Sequence, residues 1–481
     1  MNLSRRQMLQ MSGGGFGALA LNSLLHAEGA LAGTPSANPL AARAPHFAPR
    51  AKAVIFLFMY GGPSHVDLFD PKPELAKWHG KPIPVWKPED AFMGRKTQNV
   101  AMKSYYEFAK HGRAGIDIAE PYPLLARHAD ELCVIRSLHA ESNNHGPALF
   151  QMNSGFIQAG RPSMGSWVLY GLGAETSDLP AFAVMSTGSG ISGGSACWSS
   201  GMLPGVYTGV RFRNQGDPIL NVSSPPGADA QLQRDSLDLI GSLNQRRLAL
   251  DGDSEIATRI AAYEMAFRLQ TSAPDLMDLR GESRATLDLY GCDPTKPSFA
   301  RSCLLARRMV ERGVRFINIY NEGWDAHSNV EGNVRNNCKT TDQASAALVM
   351  DLKQRGLLDD TLVIWGGEFG RTPMVESNAA LGRSLGRDHH PQAFSMWLAG
   401  GGIKGGVTYG QTDELGFHIV ENPVHVRDLQ ATILHQLGLD HERLSVRFQG
   451  LDLRLTGVEH CEVVRGYWLS VATFRLRFRP R

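Results

Sequence analysis

The chain has 481 residues, enough for one large α/β domain or two smaller ones. Hydrophobic residues make up 43% and charged residues 20%, an ordinary globular composition. The formal charge of +2 is close to balanced, so it gives no reason to expect a nucleic-acid partner or an acidic surface as target.

The N-terminus reads as an export signal. Paired arginines in Ser4-Arg5-Arg6-Gln7-Met8-Leu9 precede a small, apolar run at 13–25, and Ala30-Leu31-Ala32 offers a small-residue cleavage site. Residues 1–32 are therefore expected to be a twin-arginine signal peptide; a Sec signal with a chance arginine pair is the alternative. The apolar run is too short and glycine-rich for a comfortable membrane span. No stable span is expected after cleavage, although an uncleaved segment would act as an anchor. This reading makes the twin-arginine export machinery a partner and the periplasm or cell surface the location. Residues 33–50, rich in Ala and Pro, are expected to form a flexible leader.

Residues 51–460 are predicted to form one α/β domain. The apolar runs 53–59, 132–135, 181–185, 314–320, 361–365 and 394–399 read as strands. Helices are predicted near 121–130, 148–153, 299–311 (closed by Gly313), 342–355 (stopped by Gly356) and 424–437. Residues 228–298 form a helical segment expected to cover part of the sheet, 186–225 a Gly/Ser/Pro-rich loop, and 461–481 a C-terminal tail. Helix–strand alternation is the rhythm of a parallel sheet. The six cysteines contain no close CxxC pair, which argues against a cysteine zinc site, and their wide spacing suggests at most one bridge.

Polar clusters follow four of these strands, and in an open α/β sheet ligands bind outside the carboxyl ends of the strands. Asp325 and His327 stand two residues apart after one strand, and their carboxylate and imidazole both suit zinc and similar cations. Glu368 sits in the glycine-rich turn after the next strand, where the alternative is an ion pair with Arg371. The planar fork of Arg371 matches phosphate or sulfate oxygens. Asp388-His389-His390 follows, with His389 favoured over His390 as a ligand. The first strand ends in Ser64, His65 and Asp67; Ser64 is either a nucleophile or a turn residue. After the second strand come His139 and Asn143-Asn144-His145, the last group just before a helix, where unpaired N–H groups favour an anion or simply a cap. Together these clusters point to one composite site centred on a metal, which would polarise a phosphoryl or sulfuryl oxygen.

Six stretches in this order, GGPSHVDLFDPKP (61–73), ARRMVERGVRF (306–316), GWDAH (323–327), GGEFGRTP (366–373), GRDHHP (386–391) and GGGIKGGVTYGQTDE (400–414), resemble the bacterial family called domain of unknown function 1501. The likeness covers nearly the whole mature chain. That family is similar to a branch of the alkaline-phosphatase and sulfatase superfamily. The resemblance implies an alkaline-phosphatase-like three-layer αβα sandwich with a mostly parallel central sheet, and one or two divalent metals. Zinc is the first expectation; calcium, magnesium and manganese are alternatives. It further implies Asp325, His327 and His389 around one cation, and Glu368 at a second with help from Asp67 or His65. No Cys, Ser or Thr stands at the place of the sulfatase nucleophile, which makes a formylglycine enzyme a poor fit. His145 or a metal-bound water is then the expected attacking species, with Arg371 on the anionic group.

The function expected from these residues is an exported, metal-dependent hydrolase of phosphate or sulfate esters, acting on an anionic small molecule or glycan. The alternatives are a retired, sulfatase-like binding protein for anionic glycans and a structural or assembly factor.

Overall fold

A computed structural model of the chain describes residues 38–467 apart from 86, 88–98, 189, 214–216, 221, 225–226, 228, 252 and 379–380. The signal segment expected at 1–32 lies outside the described residues. A nine-stranded sheet organises the molecule. Its strands are β1 (Ala53–Met59), β2 (Leu132–His139), β3 (Phe182–Ser186), β4 (Val210–Arg211), β5 (Phe316–Asn321), β6 (Thr361–Gly366), β7 (Phe394–Ala399), β8 (Val407–Tyr409) and β9 (Val424–His425). They lie in the order β8-β2-β7-β6-β1-β5-β3-β4, and β9 also pairs with β2. Strand β7 runs antiparallel to both neighbours, β2 and β6. The other pairings are parallel. The sheet is therefore mostly parallel, as expected.

The longer helices are α1 (His145–Ser154), α2 (Met164–Leu172), α3 (Ala230–Asp251), α4 (Ser254–Met277), α5 (Arg284–Tyr290), α6 (Phe299–Glu311), α7 (Val330–Gln354) and α8 (Val426–Gln436). Side chains alternate across a strand, so β1, apolar at every position, must be covered on both faces. Ile55, Leu57 and Met59 join a core with Leu304 and Leu305 of α6 and Leu348 and Val349 of α7. Val54, Phe56 and Phe58 join a second core with Leu149 of α1, Trp167 of α2 and Ile433 of α8. Each such side chain contributes about 1.5–3 kcal/mol on burial. Two cores on opposite faces of one sheet are the three-layer αβα sandwich.

Several local expectations change. Helix α1 begins at His145, not Ala148, because the Asn144 side chain accepts the Gly146 N–H and caps it. Helix α7 begins twelve residues earlier than its Leu/Ala-rich part, because Asn329 accepts the Gly332 N–H at 3.1 Å. The segment at 228–298 contributes α3, α4 and α5, but α3 buries no residue and packs on α4 rather than on the sheet. The described part of the expected leader, 38–50, is fixed: Leu40 is buried, and the amides of Arg50 and Ala51 both donate to the Gln436 carbonyl at 2.8 Å. All six cysteines are free thiols, five of them buried. Among the described residues no helix is long and apolar enough to cross a membrane.

Candidate metal centre

The carboxyl ends of β1, β2, β5 and β6 open on one edge of the sheet, and the loops beyond them carry the polar clusters. Because β7 is antiparallel, its amino end faces that same edge. The pair His389–His390, just upstream of β7, is delivered there and bridges to Gly370–Arg371 in antiparallel register. Two glycines permit the close approach. Gly61 has φ +119°, and a Cβ on it would lie 2.3 Å from the Asp325 nitrogen. A Cβ on Gly386 would lie 2.0 Å from the His327 carbonyl carbon.

Three histidines converge on one carboxylate. Nε2 of His327 lies 3.0 Å from Asp325 Oδ1, and Nε2 of His389 lies 3.1 Å from the same oxygen. Nε2 of His145 lies 3.3 Å from Asp325 Oδ2. One donor atom from each of these four residues falls within 4.8 Å of all the others. Every ring is anchored through its other nitrogen: His145 Nδ1 to Glu368 Oε1 at 2.6 Å, His389 Nδ1 to the Asn143 carbonyl at 2.6 Å, and His327 Nδ1 to Glu376 Oε2. Anchoring Nδ1 in this way fixes the ring orientation and presents Nε2 as the ligand atom. His145 Nε2 is buried, and its approach to Asp325 does not meet hydrogen-bond geometry, so this nitrogen is left without a hydrogen-bond partner.

The charges in the cluster are strongly coupled. Burial opposes ionisation of Asp325, but the close approach of His145, His327 and His389 and the charge of Arg371 hold its carboxyl far below the usual range. His145 is also penalised by burial, yet its contacts with Asp325 and Glu368 push it up to about 9. His327 is raised against burial by Asp325 and Glu376. His389 is pulled down to about 3 by burial and then by Arg371. Its neutral imidazole is the form that ligates a cation.

Of the residues singled out in the sequence, the structure brings together Asp325, His327, His389 and His145. Glu368 is fully buried behind His145 and accepts the Gly61 N–H at 3.1 Å, so it anchors the His145 ring rather than standing among the four candidate donors. Arg371 is also fully buried: it donates to the carbonyls of Gly61, Gly62 and Arg387 and, at 2.5 Å, to Asp325 Oδ1. None of its fork faces solvent.

The first-strand cluster is spent elsewhere. Asp67 and Arg387, both wholly buried, pair at 2.8 Å, and the Ser64 hydroxyl donates to Asp67. His65 stacks on His390 at 5.9 Å, and its Nε2 donates to the Gly416 carbonyl. His139 packs edge-on against His425, away from the cluster.

A cavity of about 220 Å³ opens over the four donors and is lined by Asn143, Asn144, Arg383 and Asp388 besides them. Sequence reasoning missed Glu376 and Arg383. Their one signal was position, between the two motifs that carry Glu368 and His389. The ribbon Glu376–Asn378 with Arg383–Gly386 brings them in. Arg383 Nη1 lies 2.5 Å from Glu376 Oε1, and Glu376 uses its other oxygen for His327.

These features define an α/β sandwich protein with a candidate metal centre of three histidines and one aspartate at the carboxyl edge of its sheet. The chain belongs to the family described as Protein of unknown function (DUF1501), which it matches over residues 51–467. No curated protein matches it. Among solved structures it is similar to PsFucS1 sulfatase from Pseudoalteromonas sp., at 12% identity over 83% of this chain and 69% of that one, with a TM-score of 0.34. It is similar to a mutant TAB5 alkaline phosphatase with magnesium bound, at 10% identity over 82% and 99%, TM-score 0.34. It is also similar to the lipoteichoic acid synthase LtaP from Listeria monocytogenes, at 9% identity over 88% and 80%, TM-score 0.36.

Proposed function

We propose that this protein is an exported, metal-dependent hydrolase of phosphate or sulfate esters that works with one cation. The observation that carries the reading is the convergence of three anchored Nε2 atoms on the Asp325 carboxylate beneath the cavity. The residues fit a cation: the donor set is the imidazole and carboxylate chemistry that zinc favours, and the buried His145 Nε2 is the orphan polar atom that a cation would satisfy. His145, Asp325, His327 and His389 would hold it. When bound, it supplies Lewis acidity toward an ester oxygen and toward water. Glu368, Glu376 and the Asn143 carbonyl fix the three rings, and Arg371 favours an ionised Asp325. Glu368 is engaged with His145 and Asp67 with Arg387, so the pair expected at a second cation is committed elsewhere. His145 thus takes a ligand position rather than that of the attacking group, and Ser64 is spent on Asp67.

The ester class is supported by the family resemblance and by a cavity that presents a cationic side chain beside the candidate metal ligands. Export is supported by the Arg5-Arg6 pair before the small apolar run. The test is metal content by mass spectrometry of protein purified from its own host, followed by turnover of p-nitrophenyl phosphate and p-nitrophenyl sulfate. One ion per chain and ester turnover, both lost in Asp325→Asn, are expected. A bound ion with no turnover of either ester would favour capture of an anionic glycan instead; absence of any ion would remove both readings.

A further inference from the structure

Arg371, the arginine that the motif suggests for an anionic substrate, is not among the residues lining the cavity. Its side chain is wholly buried, and its nitrogens are committed to three carbonyls and Asp325. Arg383 is differently placed. It lines the cavity, its side chain is 27% exposed, and among the residues lining that cavity it is the one whose charge is permanent. It is also held in place: Glu376 takes Nη1 through one oxygen and His327 Nδ1 through the other, so a single carboxylate ties the arginine to a metal ligand. With Nη1 on Glu376, the rest of the fork is available for a planar, two-point contact with an oxyanion. Asn143 and Asn144 also line the cavity and offer uncharged amides.

We propose that Arg383, positioned by Glu376, is the substrate-binding residue that receives the anionic group, and that the group is a single phosphate or sulfate head. Size supports the second half. A cavity of about 220 Å³ falls below the range of about 300–1,000 Å³ usual for pockets that enclose a whole drug-sized ligand. The cavity takes a head group, and the rest of the substrate lies outside it. This inference rests on the proposed ester chemistry for its choice of anion.

The test uses the cation-loaded full chain and its Arg383→Gln and Arg383→Lys variants. Inorganic phosphate and inorganic sulfate are titrated by calorimetry, and KM and kcat are measured on p-nitrophenyl phosphate and p-nitrophenyl sulfate. Arg383→Gln is expected to weaken binding of the better anion by about 10- to 100-fold, as loss of a charged hydrogen-bond donor does. The loss should appear in KM, with metal content and melting temperature as in the wild type. Arg383→Lys should recover part of the affinity, because it keeps the charge and loses the fork. Unchanged anion affinity in Arg383→Gln would overturn the proposal, as would a wild-type chain that binds neither anion. If the wild type binds an anion through Arg383 yet turns over neither ester, the hydrolase reading fails and the assignment of Arg383 stands.

Discussion

Glu368 Oε1 lies 2.6 Å from Nδ1 of His145, and this contact turns the opposite ring nitrogen toward Asp325. A carboxylate expected to bind metal instead holds the ring of a candidate ligand. Glu368→Gln keeps the volume and can still meet the ring, but removes the charge. Cation affinity should fall by about 10- to 100-fold, the usual cost of losing such a partner, with the ion count per chain unchanged. Competition titration against a chelator measures the first quantity and mass spectrometry the second. A drop from two ions to one would make Glu368 a ligand after all.

Asp67 provides the complementary case. Its pair with Arg387 is wholly buried, so removing the carboxylate leaves an uncompensated charge in the interior. Asp67→Ala should cost about 3–5 kcal/mol of stability by denaturant unfolding. The folded fraction should retain the wild-type ion content; loss of the ion at native fold would mean that Asp67 binds it.

Gly386 packs against the backbone of the loop that carries His327. Gly386→Ala puts a methyl carbon 2.0 Å from the His327 carbonyl carbon, far inside van der Waals contact, and the loop must move. The expected outcome is a chain that folds with weaker cation affinity. Gly382→Ala, next to the same ribbon but with open space around its Cβ, should leave affinity near wild type and cost only the strain of a positive φ, on the order of 1 kcal/mol. Equal affinities in the two variants would argue against contact with the His327 loop as the cause.

A pH dependence is expected from His425, the N-cap of α8, which accepts the Arg427 N–H through Nδ1. Burial pulls it down to about 3, helped by the charge of Arg427 and by His139; Glu141 and Asp428 also face it. A histidine with a depressed pKa binds fewer protons folded than unfolded. The stability that this neutral ring contributes is therefore complete above its ordinary value near 6.5 and is lost as pH falls toward about 3. His425→Asn keeps a capping acceptor without the titration. It should flatten the acid limb of stability against pH by up to about 1.4 kcal/mol per pH unit. An unaltered limb would mean that His425 titrates as in the unfolded chain.

The sheet was legible because continuous apolar runs such as 53–59 and 361–365 can be buried on both faces and nowhere else. Helix α7 was partly hidden: its first turns are polar and contain Gly332, and the Asn329 cap that starts it is a side-chain contact rather than a periodicity. The same distinction divides the site. Asp325, His327 and His389 could be found as residue types at strand ends. The roles of Glu368 and Arg371 could not, since whether a buried carboxylate touches a cation or a ring nitrogen depends on a displacement of a few ångströms that no spacing encodes. Glu376 and Arg383 were invisible for a related reason. They reach the cavity through an antiparallel ribbon with an irregular register, between two motifs that drew attention away from it.

The reversed direction of β7 has a consequence for assembly. His389 is presented by the segment entering the one main-sheet strand that runs against its neighbours, and β7 sits between β2 and β6, inside the sheet. A nascent chain that has produced His145, Asp325 and His327 still lacks the last donor until that slot in the middle of the sheet is filled. Under the proposed metal reading, complete coordination would therefore report a finished interior, and a truncation upstream of residue 389 would leave three candidate donors with no closed shell to retain an ion.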